Sequence, residues 1–152
     1  MMFSGNIPAK LDNKGRVALP SSFRRLLPEN ETEFVVRRDI FQPCLVIYPQ
    51  SAWVKEVECL RNQLNRWNAQ EAMIFRQFIS EAELITLDAA GRFLIPKRMQ
   101  LKAKIEREVL FVGIDDRIEI WNKENMTAAF LSDEQLGTTM EKLLAGTSLK
   151  TD

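Results

Sequence analysis

The sequence predicts an α+β fold: two tandem copies of one strand-rich unit, with helices between and after them. Three observations predict it. Leu11-Asp12-Asn13-Lys14-Gly15-Arg16-Val17-Ala18-Leu19-Pro20 recurs as Leu87-Asp88-Ala89-Ala90-Gly91-Arg92-Phe93-Leu94-Ile95-Pro96, at a constant offset of 76 residues. The apolar runs inside each copy are too short for helices and read as strands. Between the copies, Trp53, Val57, Leu60, Leu64 and Trp67 follow one another at intervals of 4, 3, 4 and 3, the seam of a helix. A repeated supersecondary unit cannot bury its apolar face alone, so the copies are expected to pack on each other.

Within a copy, the residues before Asp12 and before Asp88 form a short strand. Asp-x-x-Gly-Arg is a turn: glycine takes positive φ cheaply, and the aspartate accepts hydrogen bonds from turn amides. Val17-Ala18-Leu19 and Phe93-Leu94-Ile95 are expected to be buried strands. Proline then stops each strand and opens a short helix, Ser21 to Leu27 in the first copy and Lys97 to about Ile105 in the second. A hairpin comes next: Phe34-Val35-Val36 with Cys44 to Tyr48, and Val109 to Val112 with Ile118 to Trp121, turning at Asp115-Asp116. Pro8 falls in the first strand, which is tolerable at an edge or at a strand's first residue and awkward elsewhere.

The linking region reads as two helices, the second starting at an Asn68 N-cap with Glu71 three residues on. After the second copy, Asn122 caps a helix to about Phe130. Ser132 with Gln135 caps another that runs through Leu136, Met140, Leu143 and Leu144 and closes at Gly146. Thr147 to Asp152 reads as a frayed tail.

Composition removes several function classes. The 152-residue chain contains no histidine, which excludes Ser-His-Asp and Cys-His nucleophile systems and histidine-containing metal sites. Cys44 and Cys59 are its only cysteines, too few for a Cys-only zinc site, and a reducing compartment is the default. Neither thiol has an activating group nearby in sequence, so both read as inert. No run is long enough to cross a membrane, and the Met1-Met2-Phe3 start lacks the basic and apolar regions of a secretory signal. The six glycines form no phosphate-binding motif. Asp12 and Asp88 could be imagined as an acid/base carboxylate pair, but they read better as turn-fixing residues. No catalytic residue, cofactor, metal or small-molecule substrate is expected.

Net charge is zero, 21 basic against 21 acidic residues, but the charge is unevenly spread. Residues 1–25 carry +4 and residues 88–104 carry +4, while residues 108–152 carry −5. Local patches decide whether a polyanion docks. Arg16 and Arg92 are offered by turns, and a guanidinium on a rigid turn suits phosphate oxygens or guanine edges. The candidate DNA-binding residues are Lys10, Lys14, Arg16, Arg24, Arg25, Arg92, Lys97 and Arg98, with Asp12, Gly15, Asp88 and Gly91 shaping the turns. The first turn, with Lys10, Lys14, Arg24 and Arg25 around its arginine, is expected to read DNA, and the second mainly to support it.

These motifs, together with Phe3-x-Gly5, Cys44-Leu45-Val46-Ile47-Tyr48-Pro49, Trp53, Val112-Gly113 and Arg117-Ile118-Glu119-Ile120-Trp121, resemble the MraZ family of bacterial transcriptional regulators over nearly the full length. The resemblance implies two SpoVT-AbrB-type domains forming a swapped-hairpin β-barrel within one chain. They would occupy residues 5–52 and 81–124, with connecting helices at 53–80 and a C-terminal helix and tail at 125–152. It also implies binding to double-stranded DNA at promoter direct repeats of the division and cell-wall gene cluster. Ring-like homo-oligomers and a nucleoid-associated cytoplasmic location go with it. The family's D-x-x-x-R arginines correspond to Arg16 and Arg92. The alternatives are an oligomeric scaffold whose basic turns contact acidic partners, and an antitoxin-like interaction module. Two full copies and a short tail argue against the latter.

Overall fold

The structure is a computed structural model and describes residues 2–151. The first copy supplies β1 (Asn6–Lys10), β2 (Arg16–Ala18), α1 (Ser21–Arg24), β3 (Glu33–Arg38) and β4 (Cys44–Pro49). Helices α2 (Gln50–Gln63) and α3 (Ala69–Ser80) come next. The second copy supplies β5 (Glu83–Thr86), β6 (Arg92–Leu94), α4 (Lys97–Lys102), β7 (Glu108–Ile114) and β8 (Arg117–Asn122). A 3-10 segment, Lys123–Ala128, and α5 (Asp133–Thr151) complete the chain.

The strand pairing exchanges elements between the copies. The main sheet has the order β1-β7-β8-β4-β3-β5, and all its pairs are antiparallel. The first strand of each copy therefore lies beside the hairpin of the other: β1 on β7, β5 on β3. At the centre, β4 pairs with β8, one equivalent strand from each copy. A second, two-stranded ribbon joins β2 to β6, again equivalent strands. The order is unchanged when the copies are interchanged, so the chain carries a pseudo-twofold symmetry. Pro8 sits in edge strand β1, opposite Leu110, where a missing amide donor is tolerated. Among the described residues no ladder joins β1 to β5 or the ribbon to the main sheet. The ladders among the described residues thus form a six-stranded sheet and a separate two-stranded ribbon, and no closed barrel is found among them.

One apolar layer fills the space between sheet and ribbon. It draws Val17, Leu19, Phe34 and Leu45 from the first copy and Phe93, Ile95, Phe111 and Ile120 from the second. Each such side chain contributes roughly 1.5–3 kcal/mol on burial, so the copies hold each other in place through this shared layer. The ribbon strands are buried on one face only. Val17 and Phe93 point inward, whereas Ala18 and Leu94 are exposed, because alternation in a strand turns every second side chain away. The expectation of buried strands thus holds for Val17, Leu19, Phe93 and Ile95 and is corrected for Ala18 and Leu94.

The outer face of the sheet is covered by α2 and α3. Trp53 stacks on Phe78 with ring centroids 5.6 Å apart, above Val35, Val46 and Tyr48. Beneath them lies Arg37, only 1% exposed, its guanidinium 4.0 Å from the Phe78 ring centre. Arg37 donates to the carbonyls of Arg38 and Phe78 and lies 3.7 Å from Glu81. Its terminal nitrogens are thus partnered by β3 and by α3 with its C-terminal end, while its buried Nε has no hydrogen-bond partner among the described residues. On the other half of this face, Cys44, Leu110, Val112 and Trp121 cluster together.

Several boundaries differ from the sequence reading. Helix α2 ends at Gln63 with Leu64 extended, so Trp67 leaves the seam and is 83% exposed. The Asn68 cap is present: its side chain accepts from the amides of Gln70 and Glu71. Glu71, however, accepts from the Asn65 amide instead of closing back on Asn68. Pro20 and Pro96 are N-cap residues, and their helices stop at Arg24 and Lys102, short of Leu27 and Ile105. Asn122 does cap, accepting from the Glu124 amide, but it opens a 3-10 segment and not an α-helix. The Ser132–Gln135 capping box forms in both directions. Gly146 does not end α5, whose backbone stays helical to Thr151 instead of fraying, because a single glycine inside a helix costs only about 1 kcal/mol. Met1 and Asp152 lie outside the described residues. Among the described residues no helix is long and apolar enough to cross a membrane.

Candidate nucleic-acid interface

The two Asp-x-x-Gly-Arg turns have one construction. Asp12 Oδ1 accepts from the amides of Lys14 and Arg16, both at 2.9 Å, and Oδ2 accepts from Arg16 Nε at 2.9 Å. In the second copy, Asp88 Oδ1 accepts from the amides of Ala90 and Arg92 at 2.8 and 2.9 Å. There Arg92 Nε lies 3.4 Å from Asp88 Oδ2. The glycines take φ +84° and +77°, where a β-carbon is strained. Each aspartate therefore holds a turn and aims an arginine, as the turn-fixing reading expects. The Arg16 amide, ahead of the Lys14 amide and the Arg16 guanidinium, holds the Asp12 carboxyl below its ordinary range. The Arg92 amide does the same for Asp88, helped by the amide of Ala90.

Those shifts set a pH window. A depressed carboxylate stabilises the fold above its unfolded value, about 3.9 for aspartate, and the contribution is lost as pH falls through the lower folded value. With no histidine in the chain, both turns keep their charge between pH 5 and 8. DNA affinity at fixed salt is expected to stay constant over that range. A titration showing affinity falling from pH 8 to pH 5 would contradict it.

The ribbon brings the two arginines together. Arg16 stands opposite Leu94, and Arg92 stands opposite Ala18. Both project from the face that Val17 and Phe93 leave. They are diagonal neighbours, with α-carbons about 7–8 Å apart. Only their Nε atoms are engaged by aspartate, and among the described residues their terminal nitrogens make no hydrogen bond. The arrangement is one cationic surface with four terminal N–H₂ corners, able to grip two neighbouring acidic oxygens.

The other basic candidates divide unevenly. Lys14 lies in the first turn, and Lys97 of α4 lines the same groove as Asp12 and Gly15. Arg24 and Arg25 do not surround Arg16. They line a groove with Asp88 and Gly91, beside the second turn. The expectation that they reinforce the first turn is corrected: strand exchange sets α1 against the other copy's turn. Arg25 donates to the Ser21 carbonyl. Lys10 lies on β1, 4.0 Å from Glu108 on β7. Arg98 is tied to Glu83 and the Glu81 carbonyl, which occupies it away from both turns. Arg107, which sequence reading passed over, lines the first-turn groove, and its carbonyl accepts from the Leu11 amide. Its only sequence signal was a base just before a strand.

The thiols are not part of this surface. Cys44 is fully buried, and burial pushes its thiol well above the usual range, so the nucleophilic thiolate is disfavoured. Cys59 is exposed on α2.

The chain has counterparts among known proteins. A family model described as "MraZ protein, putative antitoxin-like" matches residues 2–77 and again residues 78–139. The chain belongs to the MraZ family. The double match divides the chain much as the 76-residue repeat does. Among MraZ relatives, the protein named "Transcriptional regulator MraZ" from Phocaeicola vulgatus is 49% identical over 145 residues, covering 95% of this chain and 94% of the relative. Proteins of the same name from Bacteroides fragilis and Bacteroides thetaiotaomicron are 46% and 44% identical over 143 residues each. Both alignments cover 93% of this chain, with 90% and 92% of the relatives.

Proposed function

We propose that this chain is a non-catalytic transcriptional regulator that binds double-stranded DNA through the Arg16–Arg92 face of the β2–β6 ribbon. The observation that carries the reading is the placement of two aspartate-aimed arginines as neighbours on one exposed face. The regulator name of relatives that align over nearly the whole chain supports it. Phosphate contacts from Lys14, Lys97, Arg24 and Arg25 would position the ribbon, and Arg16 and Arg92 would read the groove. The target proposed is a set of direct repeats in the promoter of the division and cell-wall gene cluster, with the protein in the cytoplasm at the nucleoid.

A single ribbon makes few phosphate contacts, and each adds only about 0.9 to the salt slope. Binding by an oligomer, ring-like in the reading proposed here, presents several ribbons at once. Repeats about one helical turn apart, roughly 34 Å, then engage together. Apolar residues left exposed on different elements, Trp67, Met73, Leu136 and Met140 among them, give subunits surfaces to share.

The test is a gel shift with the DNA upstream of the chain's own gene against scrambled DNA, with one, two and three repeats. Preference for the upstream duplex, rising steeply with repeat number, is expected. Equal binding to scrambled DNA would remove the specific-regulator reading and leave the scaffold alternative.

A further inference from the structure

Each turn is covered by the short helix of the other repeat. Gln100 of α4 lies over Gly15 and donates from Nε2 to the Ile95 carbonyl at 2.8 Å. Arg24 of α1 lies over Gly91, so closely that a β-carbon there would collide with its guanidinium. Arg24 and Gln100 are equivalent positions at the 76-residue offset. The pseudo-twofold thus gives both turns the same kind of cover, with opposite chemistry: a neutral amide on the first, a cation on the second.

The turns differ in the complementary sense. The first carries Lys14, and the equivalent position of the second is Ala90. A base within the turn on one side is matched by a base from the facing helix on the other. Arg24 is exposed, and among the described residues its side chain makes no hydrogen bond or ion pair. Arg98 is spent on Glu83, and Arg25 bonds the Ser21 carbonyl. Arg24 therefore keeps its donor capacity over Gly91, the residue before Arg92 in the turn. A guanidinium in that state suits a phosphate group, two of whose oxygens it can engage with two parallel N–H groups.

We propose that Arg24 is the auxiliary DNA-contacting cation of the second turn, the role that Lys14 plays for the first. The second half of the interface is then a composite of both repeats. This rests on the DNA-binding reading of Arg16 and Arg92. It also narrows the reason for ranking the first turn above the second, because each turn then carries an arginine with further bases in its groove: Lys14, Lys97 and Arg107 at the first, Arg24 and Arg25 at the second.

The experiment uses the full chain and a mixed-sequence DNA duplex titrated across salt concentration. Arg24→Gln is the informative variant, because glutamine already occupies the equivalent place over Gly15. It removes the charge and keeps a side chain over Gly91. Arg24→Gln is expected to weaken binding roughly tenfold and to lower the salt slope by about 0.9. Combined with Arg16→Ala, its loss should multiply to within about twofold, as for independent contacts. Combined with Arg92→Ala, the loss should depart from the simple product, because the two guanidinium groups share one stretch of backbone. Far-UV circular dichroism and the thermal midpoint of each variant should match the parent. Unchanged affinity and salt slope in Arg24→Gln would overturn the proposal, as would coupling to Arg16 instead of Arg92. If neither Arg16→Ala nor Arg92→Ala weakens binding, the underlying DNA-binding reading is the one that fails.

Discussion

A chain carrying both Arg16→Ala and Arg92→Ala is expected to lose specific DNA binding while folding like the parent. Each good bidentate arginine contact contributes about 1–3 kcal/mol of discrimination, so two removed together take about 2–6 kcal/mol, roughly thirtyfold at the least. The fold should tolerate the change because both side chains are solvent-facing partners of exposed aspartates, and exposed ion pairs add little to stability. The turn itself is held by backbone amides donating to Asp12 and Asp88, and alanine retains those amides. Binding isotherms against the upstream duplex, paired with thermal melts and light scattering, give the readout. A variant that melts well below the parent, or changes size, would make the arginines structural partners of the aspartates and end their assignment to DNA.

The second large effect concerns the repeats as folding units. Residues 1–77 and 78–152 expressed separately are each expected to fail as folded monomers, and to recover the native circular dichroism spectrum when mixed. In the first fragment, β1 loses β7, β4 loses β8, β2 loses β6 and β3 loses β5. The layer containing Val17, Phe34, Phe93 and Phe111 is also divided between the fragments. Short strands with unpaired edges and half a core do not offset the conformational entropy of ordering them. A cooperative thermal transition in either fragment as a monomer would show that the exchange of strands is dispensable. A fragment that folds only by pairing with a second copy of itself would agree with the expectation, since the second copy then stands in for the missing repeat.

Much of the site was legible in the residues. The recurrence of Leu-Asp-x-x-Gly-Arg followed by three apolar residues and proline identified two equivalent turns, because the physical demands of such a turn are local. A glycine must take positive φ, a carboxylate must accept nearby amides, and an arginine four residues on must meet that carboxylate. All three were met. The Asn68 and Ser132 caps were readable for the same reason. Helix ends were read less well. Periodicity carried the α2 seam on to Trp67, although the backbone leaves the helix at Leu64. Glycine at 146 reads as a stop by residue type alone, yet α5 continues past it.

By itself, then, the sequence determined the two-copy organisation, the chemistry of each turn and the absence of any histidine-based catalysis, since each of these depends on residue types at short range. Only the tertiary structure decided which copy's helix faces which turn. Strand exchange sets β1 on β7 and β5 on β3, so Arg24 comes to Gly91 and Gln100 to Gly15, across a distance in sequence that no local pattern encodes. It also decided that Arg16 and Arg92 share one face, because the register of the β2–β6 ribbon is set by which side chains the common core accepts. Val17 and Phe93 go in, and the two arginines are left outside together.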